Sequence, residues 1–236
     1  MKWIKRFLIC LFVAFALLAA TGWVLLFPRE DLQPLPDGLT GLETPRGQML
    51  LAQAEAIADH SSLALHFQPQ ILNSYCGVAS GAIVLSALGQ PTSQPEFFDN
   101  NTSNVRTRWR VAVNGMTLQN LKDLLAAHGA RAQLFHADTF DQNTFRNTVS
   151  ENLTRSGDYM IVNYQREALG QGDIGHISPI SAYDATSDMV LIMDTAANRF
   201  PLTWVPLEAL FAGMQTIDTE TGDMRGYVEV SGLPAH

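Results

Sequence analysis

The chain is predicted to fold as an α+β domain, on three observations. Apolar runs at helical spacing lie in its first half, and short apolar or alternating runs bounded by turn residues crowd its second half. No repeat or low-complexity block interrupts either. With 236 residues, 47% of them hydrophobic and 16% charged, there is material for one globular domain plus extras.

The first extra is N-terminal. Lys2, Lys5 and Arg6 precede an uncharged apolar stretch from Phe7 to Phe27, enough for a helix to cross a hydrocarbon core about 30 Å thick. Residues 1–27 therefore read as a transmembrane signal-anchor. The basic flank predicts a single pass through the inner membrane, with the N-terminus in the cytoplasm and the rest on the exported, periplasmic side. Cleavage near Leu18-Ala19-Ala20 is the competing reading, but the apolar run continues through Trp23 and Leu26. Cys10 lies inside the span. Residues 28–47 are rich in Pro and Gly and read as a linker. The catalytic domain is assigned to 48–232. Within it Leu50–Ala58, Cys76–Leu88 and Leu118–His128 are expected as helices, the last stopped by Gly129. Tyr159–Tyr164, His176–Tyr183, Met189–Asp194 and Gly226–Val230 are expected as strands.

Charge narrows the function. Removing Lys2, Lys5 and Arg6 from a net charge of −8 leaves −11 on the exported part, so nucleic acid is not an expected partner. Arg106, Arg108 and Arg110 alternate around Trp109 and would share one strand face, read as solvated rather than as an anion site. His60, His66, His128 and His136 have no Cys or His at ligand spacing, so no metal site is assigned. Gly170, Gly172 and Gly175 spell a dinucleotide motif, but a strand follows them instead of a helix. They are expected to form the loop that delivers His176.

Cys76 is the one cysteine outside the apolar N-terminal stretch. A polar lead-in, then Cys-Gly and an apolar run, would set its sulfur at a helix N-terminus, where the dipole and free N–H groups favour thiolate. Gln70 could offer its amide to an oxyanion beside that sulfur. A buried core cysteine is the competing reading, yet an unpaired exported thiol is a liability unless it is buried or used. His176 opens one expected strand and Asp194 ends the next. Pairing Tyr183 with Asp188 across their turn sets His176 and Asp194 opposite each other within one residue of register. Cys76, His176 and Asp194 thus form a workable nucleophile, base and orienting acid.

These segments carry a family resemblance. FQPQILNSYCGVAS at 67–80, NYQREALGQGDIGHISPISAYD at 163–184, DMVLIMD at 188–194 and WVPLEALF at 204–211 resemble the phytochelatin synthase family, papain-like cysteine transferases, from about residue 48 to 232. The resemblance implies a papain-like fold with a helical half carrying the nucleophile and an antiparallel sheet half carrying His and Asp. It puts the family's nucleophile on Cys76, base on His176, acid on Asp194 and oxyanion glutamine on Gln70. It also implies glutathione as substrate, cleaved at Cys–Gly through a γ-glutamylcysteinyl thioester that passes to water or to a second glutathione. Asp218 and Arg225 fall where similar members keep an acid and an arginine, and would anchor the γ-glutamyl end. Arg166, in the segment before His176, would meet the second substrate.

Two departures accompany it. The chain has no Cys-rich C-terminal region, so it resembles short prokaryotic forms in which hydrolysis tends to dominate. The family's arginine three residues after the acid is replaced by Ala197, with Arg199 as a compensating candidate. No built-in cofactor is expected; cadmium or zinc would act through metal-bound glutathione. Expected partners are glutathione and, through the N-terminal helix, a membrane, with a homodimer left open. The rival functions are a bacteriocin-leader type cysteine peptidase and a catalytically inactive domain binding γ-glutamyl peptides or a partner.

Overall fold

The computed structural model describes residues 2–232. In chain order its elements are α1 (Lys2–Leu26), β1 (Thr40–Gly41), α2 (Pro45–Gln53), α3 (His60–Leu65), α4 (Cys76–Ala87), α5 (Arg108–Asn114), α6 (Leu118–Ala127), β2 (Arg131–His136), α7 (Gln142–Leu153), β3 (Asp158–Gln165), β4 (Gly175–Asp184), β5 (Met189–Ile192), β6 (Thr203–Pro206), α8 (Leu207–Met214) and β7 (Gly226–Ser231). The strands form one antiparallel sheet in the order β1-β6-β5-β4-β3-β7-β2.

Period-two alternation sends side chains to both faces of this sheet. Tyr159 and Ile161 of β3 join a core with α4 and α6, which holds Val84, Leu85, Leu121 and Leu124. Met160, Val162 and Tyr164 of the same strand join a second core with α7 and α8, which holds Phe145, Val149, Leu210 and Phe211. The helices flank the sheet on two sides, with the cysteine-bearing α4 packed on β4. The mixed helix and antiparallel sheet architecture is the expected one. Helices α7 and α8 were not among the expected elements. The Asp141 carboxylate accepts the Thr144 N–H and caps α7, a local start signal in a segment whose apolar residues are sparse.

Three expectations change. The helix foreseen at Leu50–Ala58 ends at Gln53, and Ala56 instead bridges to Tyr183. Residues 28–47 are not a free spacer: Asp31 and Gln33 donate to the carbonyls of Asn198 and Arg199, β1 extends the sheet beside β6, and α2 starts at Pro45. Arg106, Arg108 and Arg110 do not share a strand face, because the Thr107 hydroxyl accepts the Arg110 N–H and starts α5. Arg106 then pairs with Glu220 at 2.8 Å, while Arg108 donates to the Pro95 carbonyl.

The hairpin register also differs. Tyr183 faces Val190 rather than Asp188, the register shifts between Ile180 and Ala182, and β5 stops at Ile192. The turn between paired Asp184 and Met189 is four residues long, as the pattern suggested, but lies one position later and ends on Asp188, whose φ is +54°. Asp194 therefore lies past the strand end.

Candidate active site

Cys76 is the first residue of α4, and the helix behind it is buried from Gly77 to Ser86. Small residues permit that depth. A Cβ on Gly77 would stand 2.6 Å from Met116 Sδ, and one on Gly81 2.6 Å from the Phe97 ring. Fully buried Ser80 ties the helix to the strand, since its hydroxyl lies 2.8 Å from the Cys76 carbonyl and 3.1 Å from that of Ile177. Cys76 as a residue is only partly buried.

His176 sits at the start of β4 beneath this helix end. Its Nε2 is 3.0 Å from Asp194 Oδ1 and 2.9 Å from Ser178 Oγ. Nδ1 is thus the ring nitrogen left to hydrogen-bond the Cys76 sulfur. Tyr164, which pairs with His176 across β3 and β4, packs its ring edge-to-face on the imidazole with centroids 5.8 Å apart. Asp194 Oδ1 accepts three donors: Arg166 Nη2 at 2.8 Å, His176 Nε2 at 3.0 Å and the Ala196 N–H at 2.9 Å.

The electrostatics follow from these contacts. Burial opposes ionisation of the Cys76 thiol, but the hydrogen bond and charge of His176, with the Ile177 and Gly77 amides, outweigh it and lower the thiol's pKa. Burial and the charge of Arg166 oppose the His176 imidazolium. The charge and hydrogen bond of Asp194, with Cys76, outweigh them and raise its pKa. Burial likewise opposes the Asp194 carboxylate, yet Arg166 and His176 hold it well below the usual carboxylate range. A thiolate, an imidazolium and a carboxylate in series can perform acyl transfer.

Cys76 and His176 open onto a cleft of about 580 Å³ that Asn163, Asp218 and Arg225 also line. Arg225 Nη1 donates to the Asn163 side-chain oxygen at 2.9 Å and stands 3.5 Å from Asp218 Oδ2. The expected Asp218 and Arg225 pair therefore faces the same cavity as the sulfur. Gln70 is buried between the loops that precede Cys76 and follow Asp194. Its N–H donates to the Thr195 carbonyl, its Oε1 accepts the Thr195 hydroxyl, and its Nε2 donates to the Asn73 carbonyl at 2.8 Å.

Arg166 is placed differently from the sequence expectation. It is 2% exposed, and its guanidinium binds Asp194 and Gln171 Oε1 and stacks 5.0 Å over Phe200, so it serves the acid rather than presenting itself to a second substrate. Arg199 does not take that place, its guanidinium lying over Phe200. The glycine loop runs through left-handed Gly170 and Gly172 into β4, delivering His176. Sequence reasoning missed Asn163, Ser178, Ser80 and Asn73. Asn163 was the most accessible of these, as the polar residue in the apolar run IVNY.

Comparison with known proteins adds three findings. The family model described as phytochelatin synthase matches residues 31–227. The chain is 35% identical over 175 residues to glutathione gamma-glutamylcysteinyltransferase 1 of Lotus japonicus, covering 72% of this chain and 35% of that one. It is 32% identical over 199 residues to transferase 3 of the same plant (80% and 42% covered), and 25% identical over 182 residues to that of Schizosaccharomyces pombe (75% and 44% covered). It thus spans less than half the length of these curated relatives. Among solved structures, the peptidase domain of Streptococcus ComA, a bi-functional ABC transporter involved in a quorum sensing pathway, superposes with a TM-score of 0.41 at 15% identity, over 70% of this chain and 96% of that one.

Proposed function

We propose, from the premise that this chain belongs to the phytochelatin synthase family, that it is a glutathione γ-glutamylcysteinyltransferase whose nucleophile is Cys76. The observation that carries this reading is Cys76, lining a cleft sized for a small peptide and hydrogen-bonded to a His176 that is itself held by Asp194.

In this reading the Cys76 thiolate attacks the carbonyl carbon of the Cys–Gly peptide bond. The oxyanion is held by the Gln70 amide and the backbone N–H at Cys76. As the C–N bond breaks, His176 Nδ1 gives its proton to the departing glycine amine, leaving a γ-glutamylcysteinyl thioester. His176 then takes a proton from water or from the α-amine of a second glutathione. That nucleophile attacks the thioester, and the Cys76 thiolate leaves. Asp218 and Arg225 would hold the α-amino and α-carboxylate groups of the γ-glutamyl end. Hydrolysis is proposed to exceed polymerisation. Cadmium or zinc would enter only as metal-bound glutathione, a substrate. Helix α1 is apolar and long enough to cross a membrane, and we read it as an anchor that leaves the cleft on the exported side.

The test is mass spectrometry of the full chain in detergent with glutathione, with and without cadmium, beside Cys76→Ala. Glycine plus γ-glutamylcysteine supports a hydrolase, and added (γ-Glu-Cys)₂-Gly a synthase. No glycine release from folded protein overturns the reading in favour of a leader peptidase or a binding domain.

A further inference from the structure

Helix α1 stands largely exposed through most of its length, and contact with the domain begins only at its last turn. There Gly22, Leu25 and Leu26 line the same cleft as Cys76 and His176. The attachment runs through Asn73. Its N–H donates to the Leu26 carbonyl at 2.9 Å, and its side-chain Nδ2 donates to the carbonyls of Leu25 at 2.9 Å and Phe27 at 3.4 Å. A helix leaves its last carbonyls without intrahelical partners, and here one residue supplies donors to the final two, those of Leu25 and Leu26. The carbonyl of the same Asn73 accepts Gln70 Nε2 at 2.8 Å, and Asn73 is three residues before Cys76. One residue therefore joins the helix end to the glutamine and to the turn that starts α4.

We propose that the last turn of α1 is a working wall of the cleft, and that Asn73 is a positioning residue making the placement of Gln70 and Cys76 depend on that helix. The proposal rests on the reading of the cleft given above. On this view α1 does more than tether. Leu25 and Leu26 close one side of the cavity with apolar surface, so the site has the size of a small-peptide pocket instead of an open groove for an extended chain. Access of substrate to Cys76 then depends on a segment whose remainder stands away from the domain.

The test uses the full chain in detergent micelles in a Cys10→Ser background. A short bifunctional thiol reagent is expected to link Leu25→Cys to Cys76, detected as a joined peptide by mass spectrometry, and to leave Val13→Cys unlinked. Asn73→Ala is expected to lower kcat for glycine release about tenfold with KM nearly unchanged, because losing the side-chain grip on the Leu25 and Phe27 carbonyls frees the turn whose main-chain carbonyl positions Gln70. Iodoacetamide is expected to alkylate Cys76 about threefold faster in that variant, at an unchanged Tm and with the pH midpoint of alkylation still below that of an ordinary thiol. Unfolding would move that midpoint up. Asn73→Asp, which sets a carboxylate against the same carbonyls, should behave like Asn73→Ala. No cross-link at position 25, or wild-type kcat and alkylation rate in both Asn73 variants, overturns the proposal even where Cys76→Ala abolishes turnover. A cross-link with faster alkylation in a chain that never turns over glutathione upholds the wall and overturns the assigned function.

Discussion

Arg166 and Asp194 are joined at 2.8 Å with side-chain exposures of 3% and 2%, and the oxygen that takes the guanidinium also faces His176. The carboxylate thus sits between a permanent cation and a titratable one. Asp194 favours the imidazolium while Arg166 opposes it, so the arginine trims the basicity that the acid confers. This places an arginine on the orienting acid despite Ala197, through a residue 28 positions earlier in the chain.

Removing one partner of a buried pair leaves an uncompensated charge, which typically costs about 3–5 kcal/mol. Arg166→Met is expected to lose stability of that order in urea denaturation. Its His176, freed from a repelling cation, should titrate higher. Arg166→Lys keeps the charge but not the two-pronged grip on Asp194 and Gln171, and should fall between. A fully stable Arg166→Met would show that the pair contributes nothing.

The rate of Cys76 alkylation should follow the coupled titration of Cys76 and His176. The thiol's pKa is lowered and the imidazole's raised, so each group favours the charged form of the other and the thiolate–imidazolium pair gains on the neutral pair. The rate should rise through the lowered thiol value as pH increases. His176→Ala removes the leading favourable contact, and its midpoint should move up. An unmoved midpoint would mean that His176 does not activate the sulfur.

Gly175 precedes His176, and a Cβ placed there would meet Arg225 Nη1 at 2.7 Å. The obstacle is the end of a flexible side chain, so Gly175→Ala should fold while displacing the guanidinium from the cleft. The expected result is a several-fold rise in KM for glutathione, of order 1 kcal/mol, with Tm lowered only slightly. A lowered kcat with unchanged KM would instead place the effect on His176.

Asp59 is buried with Oδ1 on the Gly157 N–H and Oδ2 without a partner among the described residues, and burial chiefly pushes its pKa up to about 7. A carboxyl whose folded value exceeds its unfolded one is stabilising when protonated. The penalty on the folded state therefore grows as pH rises from the ordinary carboxylate range to about 7, and is full above it. Asp59→Asn should raise stability at pH 8 by about 2–4 kcal/mol and change it little at pH 4. Equal effects at both pH values would show that the carboxyl does not titrate across that range.

Much of the fold was legible because its signals are local. Helix α4 carries a largely apolar, uncharged run, and the apolar strands β3, β4, β5 and β7 lie between turn residues, so each appeared within a few residues of its observed ends. What was misread depended on contacts remote in sequence. Arg166 looked like a substrate residue because nothing near it announces Asp194. The alternation of Arg106, Arg108 and Arg110 looked like a strand until the Thr107 cap made it a helix. Asn163 and Asn73 acquire meaning only from Arg225 and from the end of α1.

By itself the sequence determined the class of fold, the apolar N-terminal helix, and the grouping of a helix-end cysteine with a strand-borne histidine and an acid. These follow from periodicity, capping and hairpin order, which act over neighbouring residues. Only the tertiary structure decided how Asp194 reaches His176, which arginine holds it, and what walls the cleft. A register shift of two residues changes none of the hydrophobic alternation along a strand. It does change which side chain stands beside the imidazole, and that choice is made by the packing of β5, the Arg166 loop and the last turn of α1 together.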